Sequence, residues 1–243
     1  MPHSGPDWGV STIDSTIYSL KDMGELAARL KSVDTFDRRG NVLFLDDFED
    51  GIQNWEPNIP VAGGAVEWSA KHSRNHGFSA KLSTTDTRNE NVGMTRYQPY
   101  PVLNAFGLEI HFTISAFLKY FYLKLLLYDK TWEHYAEIWY DSNNSKLYYA
   151  TPLPAGWILI ESPIYLHNSP YLFHAWKLVV DLKLGEYVRL ISNDRSWDLS
   201  GIAYTKTADA RSPYMAMQVR QTTDSNNVST IYFDDAIITQ NEE

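Results

Sequence analysis

The sequence predicts an all-β fold: a two-sheet antiparallel sandwich preceded by an N-terminal arm and a short helix. Three observations carry that prediction. From Asn41 onward, short runs alternate apolar and polar residues with period two, the repeat of a strand with one buried face. Ser-Asn-Asn at 142–144 and Lys-Leu-Gly at 183–185 separate such runs at hairpin spacing. Many short strands beside a single helical pattern describe a sandwich or barrel.

Residues 1–17 read as an arm of Pro, Ser, Thr and Gly carrying a lone Trp8. Ser19 caps the helix that follows, with Asp22 three residues on. Met23, Leu26, Ala27 and Leu30 form its apolar stripe, and Glu25 and Arg29 pair at i,i+4. The chain therefore divides into an arm and amphipathic helix, 1–40, and a β-sandwich domain, 41–243. The sandwich opens with LFLDDFEDGIQNW, Leu43 to Trp55, and closes with IYFDDAII, Ile231 to Ile238. These two strands are expected side by side with their acids at one site. Ala65–Ser69 and Ser79–Ser83 flank a polar loop. Leu108, Ile110, Phe112, Ile114 and Ala116 alternate with Glu109, His111, Thr113 and Ser115, which predicts a half-buried strand. Phe121, Leu123, Leu125 and Leu127 alternate with Tyr122, Lys124, Leu126 and Tyr128, so the next strand buries one face and shows aromatics on the other. His134 to Asp141 with Lys146 to Ala150 make one hairpin, and Trp176 to Leu182 with Glu186 to Ser192 make a second. Four prolines leave 151–173 the least regular β stretch, and Tyr214 to Gln221 precedes the closing strand.

The 243 residues are 44% hydrophobic and 14% aromatic, which suffices for a real core. A formal charge of -9 with no basic block argues against nucleic acid, whose phosphates demand Lys and Arg. The absence of Cys excludes disulfides, thiolate metal sites and thiol catalysis. The N-terminus lacks a charged n-region followed by an apolar h-region, and no apolar run approaches the ~20 residues of a membrane span. No signal peptide and no membrane insertion are expected. The expected location is a virion or other particle, or the cytoplasm, and extracellular only if a signal has been removed.

Motifs for catalysis are missing. There is no G-x-S-x-G, no P-loop, no dinucleotide fingerprint and no H-E-x-x-H. Glu109, Glu133, Glu137 and Asp141 are acids in the β region that could pair as in a glycosidase, but they form no tight acid motif. His72 and His76 lie in a loop, where their spacing has no ligand geometry. His111 and His134 read as strand-face residues. A non-enzyme is expected. The aromatics point to a ligand. Trp132, Trp139, Tyr148 and Tyr149 lie on adjacent strands or their turn and offer flat faces for the C–H surfaces of sugars. The same residue types also fill sandwich cores and protein interfaces.

Asp47-Phe48-Glu49-Asp50-Gly51 with Trp55, then His72-Ser73 through Leu82, then Tyr232-Phe233-Asp234-Asp235 resemble, in that order, the opening, middle and closing motifs of jelly-roll carbohydrate-binding modules and their concanavalin-like relatives. Trp176 to Asp198 resembles the strand–hairpin–strand of laminin-G-like domains. The resemblance covers roughly residues 43–239 and has an insertion in the middle motif, HSRNHG. It implies a structural calcium joining the first and last strands, held by Asp47, Glu49, Asp234 and Asp235 with loop carbonyls near 75–81, the hard oxygens that calcium takes.

These readings lead to a non-catalytic binding or assembly module. The leading expectation is a structural subunit of a phage or virus-like particle, of decoration, spike or tail type, assembling with a protein partner or itself through Met23, Leu26 and Leu30, and contacting glycans as well. The alternative is a stand-alone carbohydrate-binding module, and third is a polysaccharide-active hydrolase or lyase.

Overall fold

The computed structural model describes residues 39–60, 62–75, 77–152, 154–224 and 226–242. The arm, the helix and its stripe of Met23, Leu26 and Leu30 lie outside the described residues.

Sixteen strands follow in chain order: β1 (Asn41–Asp46), β2 (Glu56–Asn58), β3 (Ala65–Ser69), β4 (Ser79–Ser83), β5 (Asn91–Gln98), β6 (Ala105–Ile114), β7 (Leu118–Tyr128) and β8 (Trp132–Asp141). Then come β9 (Lys146–Ala150), β10 (Trp157–Glu161), β11 (Ser169–Asp181), β12 (Glu186–Ser192), β13 (Arg195–Ala203), β14 (Thr205–Ala208), β15 (Tyr214–Thr223) and β16 (Thr230–Gln240). Every ladder between them is antiparallel. Sheet A runs β13-β12-β11-β6-β16-β4-β3, with β1 sharing the β4 side of β16. Sheet B runs β10-β9-β8-β7-β15-β5-β2, with β14 sharing the β9 side of β8. The opening and closing strands are neighbours as expected, Asp46 facing Ala236 and Asn41 facing Gln240.

Alternation builds the core between the sheets. Leu108, Ile110, Phe112, Trp176 and Phe233 of sheet A meet Phe121, Leu123, Leu125, Ile138 and Met217 of sheet B, all fully or almost fully buried. The rings of Phe112 and Phe121 stack at 3.9 Å between the layers. Polar bonds also cross: the Tyr187 hydroxyl donates to Ala150 O at 2.8 Å and accepts from Glu137 N at 2.9 Å. Gln221 Nε2 of sheet B donates to Leu82 O of sheet A at 2.8 Å.

One expectation is corrected. β6 is buried on both faces, not on one, since Glu109, His111 and Thr113 are as inaccessible as the apolar residues between them. Part of the reason lies at the C-terminus. Glu242 folds back over this outer side of sheet A, its carboxylate 2.7 Å from Lys177 Nζ and 2.6 Å from Arg189 Nη2. Thr239 Oγ1 donates to the same carboxylate at 2.5 Å. Gly107 makes the room, because a Cβ there would stand 2.7 Å from Glu242 Oε1.

Candidate functional site

The acids of the opening and closing strands do come together, but around protein partners. Asp46, which sequence reasoning passed over, organises the opening: it accepts Phe48 N at 2.9 Å and the buried indole N–H of Trp55 at 3.0 Å. Asp47 Oδ1 accepts Glu49 N at 3.2 Å, and Glu49 Oε1 accepts Gly77 N and Phe78 N at 2.9 and 2.8 Å. Asp234 Oδ2 accepts Arg74 N and Asn75 N at 2.7 and 3.3 Å. Asp235 Oδ2 takes the Arg74 guanidinium at 3.0 Å and the Asn75 amide at 2.8 Å. Successive strand residues should point apart, yet both aspartates reach the 72–75 loop. Asp235 has φ of 47° at an irregularity in the β16–β6 ladder, and this left-handed residue turns the second carboxylate onto the first one's side.

These residues do not fit the expected calcium. Among the described residues no group of three or more His, Asp or Glu side chains converges in a way that could hold a metal ion. Asp47, Glu49, Asp234 and Asp235 are spent on loop amides and on Arg74. The inserted loop brings its own cation, which is where this sequence departs from the motif it resembles. Burial and the adjacent Asp235 push the Asp234 carboxyl up to about 7.

The aromatic side of the sequence reading leads to the outer face of sheet B. Paired residues of neighbouring strands share a face, so the registers define a row: Gly93 of β5, Arg220 of β15, Tyr122 of β7, Trp139 of β8, Tyr148 of β9 and Leu159 of β10. Trp139 is its centre. Its ring lies 4.9 Å from Tyr148, 5.1 Å from Trp157, 4.4 Å from Tyr120 and 5.9 Å, stacked, from Tyr122. The Arg220 guanidinium covers the Tyr122 ring at 4.3 Å. Trp157, on the edge strand β10, is 41% exposed. The Trp139 indole N–H is buried without a hydrogen-bond partner.

Of the four predicted glycan residues, Trp139 and Tyr148 belong to this row. Trp132 and Tyr149 have the opposite parity. Tyr149 packs against the core and meets Tyr187 at 5.7 Å. Trp132 lies at the strand end under Lys206, whose ammonium is 4.6 Å from its ring. Tyr120, Tyr122 and Trp157 also meet Trp139 and were not singled out in the sequence. The aromatic alternation of β7 signalled the first two, whereas Trp157 sits in the stretch whose prolines hid a strand.

One register step along the sheet, the side chains become charged. Lys124 Nζ lies 4.0 Å from both Glu133 Oε1 and Glu137 Oε2, and Arg220 Nη2 lies 3.5 Å from Glu137 Oε1. Burial raises the Glu137 carboxyl and lowers the Lys124 ammonium, against their mutual attraction. Burial also pushes the Tyr122 hydroxyl up to about 12. Glu109 is not part of this site, since it sits on the opposite side of the molecule in β6. Asp141 is a turn acid that accepts Asn143 N and Asn144 N. His134 bonds Asp129 at 2.9 Å, and the His72 ring lies between Tyr171 and Tyr232, 4.7 Å from each.

No protein-family model and no curated protein matches the chain. Solved structures do match it. An endo-β-1,4-glucuronan lyase from the fungus Trichoderma reesei superposes with a TM-score of 0.57 at 12% identity, over 82% of this chain and 96% of the other. The cellulose-induced protein Cip1 gives 0.55 at 16%, over 81% and 96%. The alginate lyase vAL-1 from a Chlorella virus gives 0.53 at 12%, over 82% and 100%. The fold is a concanavalin-like jelly-roll sandwich. At these identities the likeness establishes the fold alone.

Proposed function

We infer that this chain is a carbohydrate-binding β-sandwich whose ligand lies across the strands on the outer face of sheet B. The observation that carries the reading is the row of rings about Trp139, held by mutual packing and running to the exposed edge at Trp157. Fixed flat rings next to charged side chains suit a sugar chain, whose C–H faces stack while its hydroxyls take hydrogen bonds. Titration calorimetry against a panel of soluble polysaccharides tests it. Trp139→Ala should weaken binding at least tenfold, about 1.4 kcal/mol, without unfolding the sandwich. Equal binding by that variant would reject the site.

A second reading is catalysis on such a polysaccharide. It is favoured by the buried Glu137 carboxyl beside Lys124 on the same open face, and two of the proteins of like fold are by name polysaccharide lyases. It requires reducing-end or unsaturated-product formation that Glu137→Gln abolishes. The particle-subunit reading rested on the arm and helix, and no feature of the described sandwich adds to it.

A further inference from the structure

The outer face of sheet B also carries a groove of about 450 Å³, farther along the same strands. It lies between β2, β5, β15, β7 and β8. Tyr97, Tyr128 and Tyr214 form its aromatic walls, with ring centroids 5.3 Å apart for Tyr97–Tyr214 and 4.6 Å for Tyr128–Tyr214. Arg211 is fixed against them, Nη1 donating to the Tyr128 hydroxyl at 3.0 Å. Glu56, Asn58 and Gln218 add polar groups, and Gln218 Nε2 is already oriented toward Thr95 Oγ1 at 3.2 Å.

We propose that this groove is a separate subsite for one neutral sugar residue of an oligosaccharide whose body lies on the aromatic row. It rests on the reading that the row binds glycan. Three arguments support it. The first is reach. Lys124, two residues beyond Tyr122 of the row on β7, already lines the groove, and Tyr128, six residues beyond, walls its far end, so a sugar chain that leaves the row and turns along the strand enters the groove after about 7 Å and meets its tyrosines by about 20 Å, a span of about four sugar residues. The second is continuity, since both features occupy one face of one sheet and adjoin at Lys124, which lines the groove and lies 4.0 Å from Glu137. The third is charge. Glu56 and Glu133 offset Lys124 and Arg211 in the lining, so the groove carries no formal excess of either sign to draw an ionic substituent. What it offers instead is rings and hydrogen-bonding groups, the partners of a neutral pyranose.

The test uses the full chain and size-graded neutral gluco- and manno-oligosaccharides of two to eight units, with oligoglucuronates of the same lengths beside them. Affinity for a neutral series should rise about tenfold between short and medium lengths and then level off. Arg211→Ala and Gln218→Ala should each lower the affinity for the long members toward that of the short ones. Raising salt from 50 to 500 mM should change Kd less than twofold, because no net charge is being neutralised. Circular dichroism confirms that the variants are folded. If short members bind through Trp139 and added length gains nothing, or if both variants bind long members normally, the groove is not a subsite. Preference for oligoglucuronates with a steep salt dependence overturns the neutral-sugar assignment. If no oligosaccharide binds at all, the reading of the row fails and the groove falls with it.

Discussion

Glu242, the penultimate residue, should matter to the fold far more than its position suggests. Its carboxylate is wholly buried and serves two cations at once, Lys177, also wholly buried, and Arg189, nearly so. Glu242→Ala strips both of their shared counter-ion while leaving them in place. Removing one partner of a buried ion pair costs about 3–5 kcal/mol. For a domain of this size each kcal/mol moves Tm by about 2–4 °C, so the expected fall is about 6–20 °C. Glu161 provides the comparison. It takes Arg195 at 2.9 Å, a slightly longer contact and one at the surface, and Glu161→Ala should cost about 1 kcal/mol at most. Thermal unfolding followed by circular dichroism measures both. Adding Lys177→Met to Glu242→Ala should recover part of the loss by removing one buried charge. A Glu242→Ala shift no larger than that of Glu161→Ala would refute the reasoning.

Other expectations follow from the same geometry. Trp139→Ala and Trp132→Ala should separate cleanly in glycan binding, the first losing affinity and the second not, because the two rings have opposite parity on β8; equal losses would overturn the face assignment. Trp55→Phe keeps the ring packing but deprives buried Asp46 of its indole donor, so urea denaturation should show a loss of about 1–3 kcal/mol. Asp234 supplies a pH dependence. With its carboxyl raised from 3.8 to about 7 by burial and by Asp235, the folded chain keeps a proton that the unfolded chain has released. Stability is therefore lost as pH rises from about 4 to about 7. His174, lowered by burial, acts in the opposite sense below about 6.5. Between pH 6.5 and 8 the Asp234 contribution should dominate, lowering unfolding free energy by roughly 1 kcal/mol, and a rise over that window would contradict it.

The fold was legible where side chains alternate strictly. β6, β7 and β11 show their apolar faces in the sequence, and the likeness of the two acidic strands placed β1 beside β16. β5 escaped because Gly93 interrupts it, although that glycine is required: a Cβ there would stand 2.6 Å from Val219 O of the neighbouring strand. β10 escaped among prolines. The site was legible in kind and only partly in place. Parity along one strand can be read from sequence, so neighbours such as Trp139 and Tyr140 on β8 face apart. Which sheet face stays open depends on long-range pairing, and that separated Glu109 from Glu137. The sequence showed the four acids of the expected calcium site but not that Arg74, in the loop HSRNHG, would set its own charge beside Asp235.

The pairing of Asn41 with Gln240 also has a mechanical meaning. Here the sandwich begins and ends on adjacent residues of one ladder. Tension applied between those two points would load one rung at a time and unzip β1 from β16, instead of shearing all their hydrogen bonds together. If the sandwich were spliced in line between two pulling attachments, this seam would open first. Held from one end only, the same seam bears no load, and sheet B, the other layer, would stay intact.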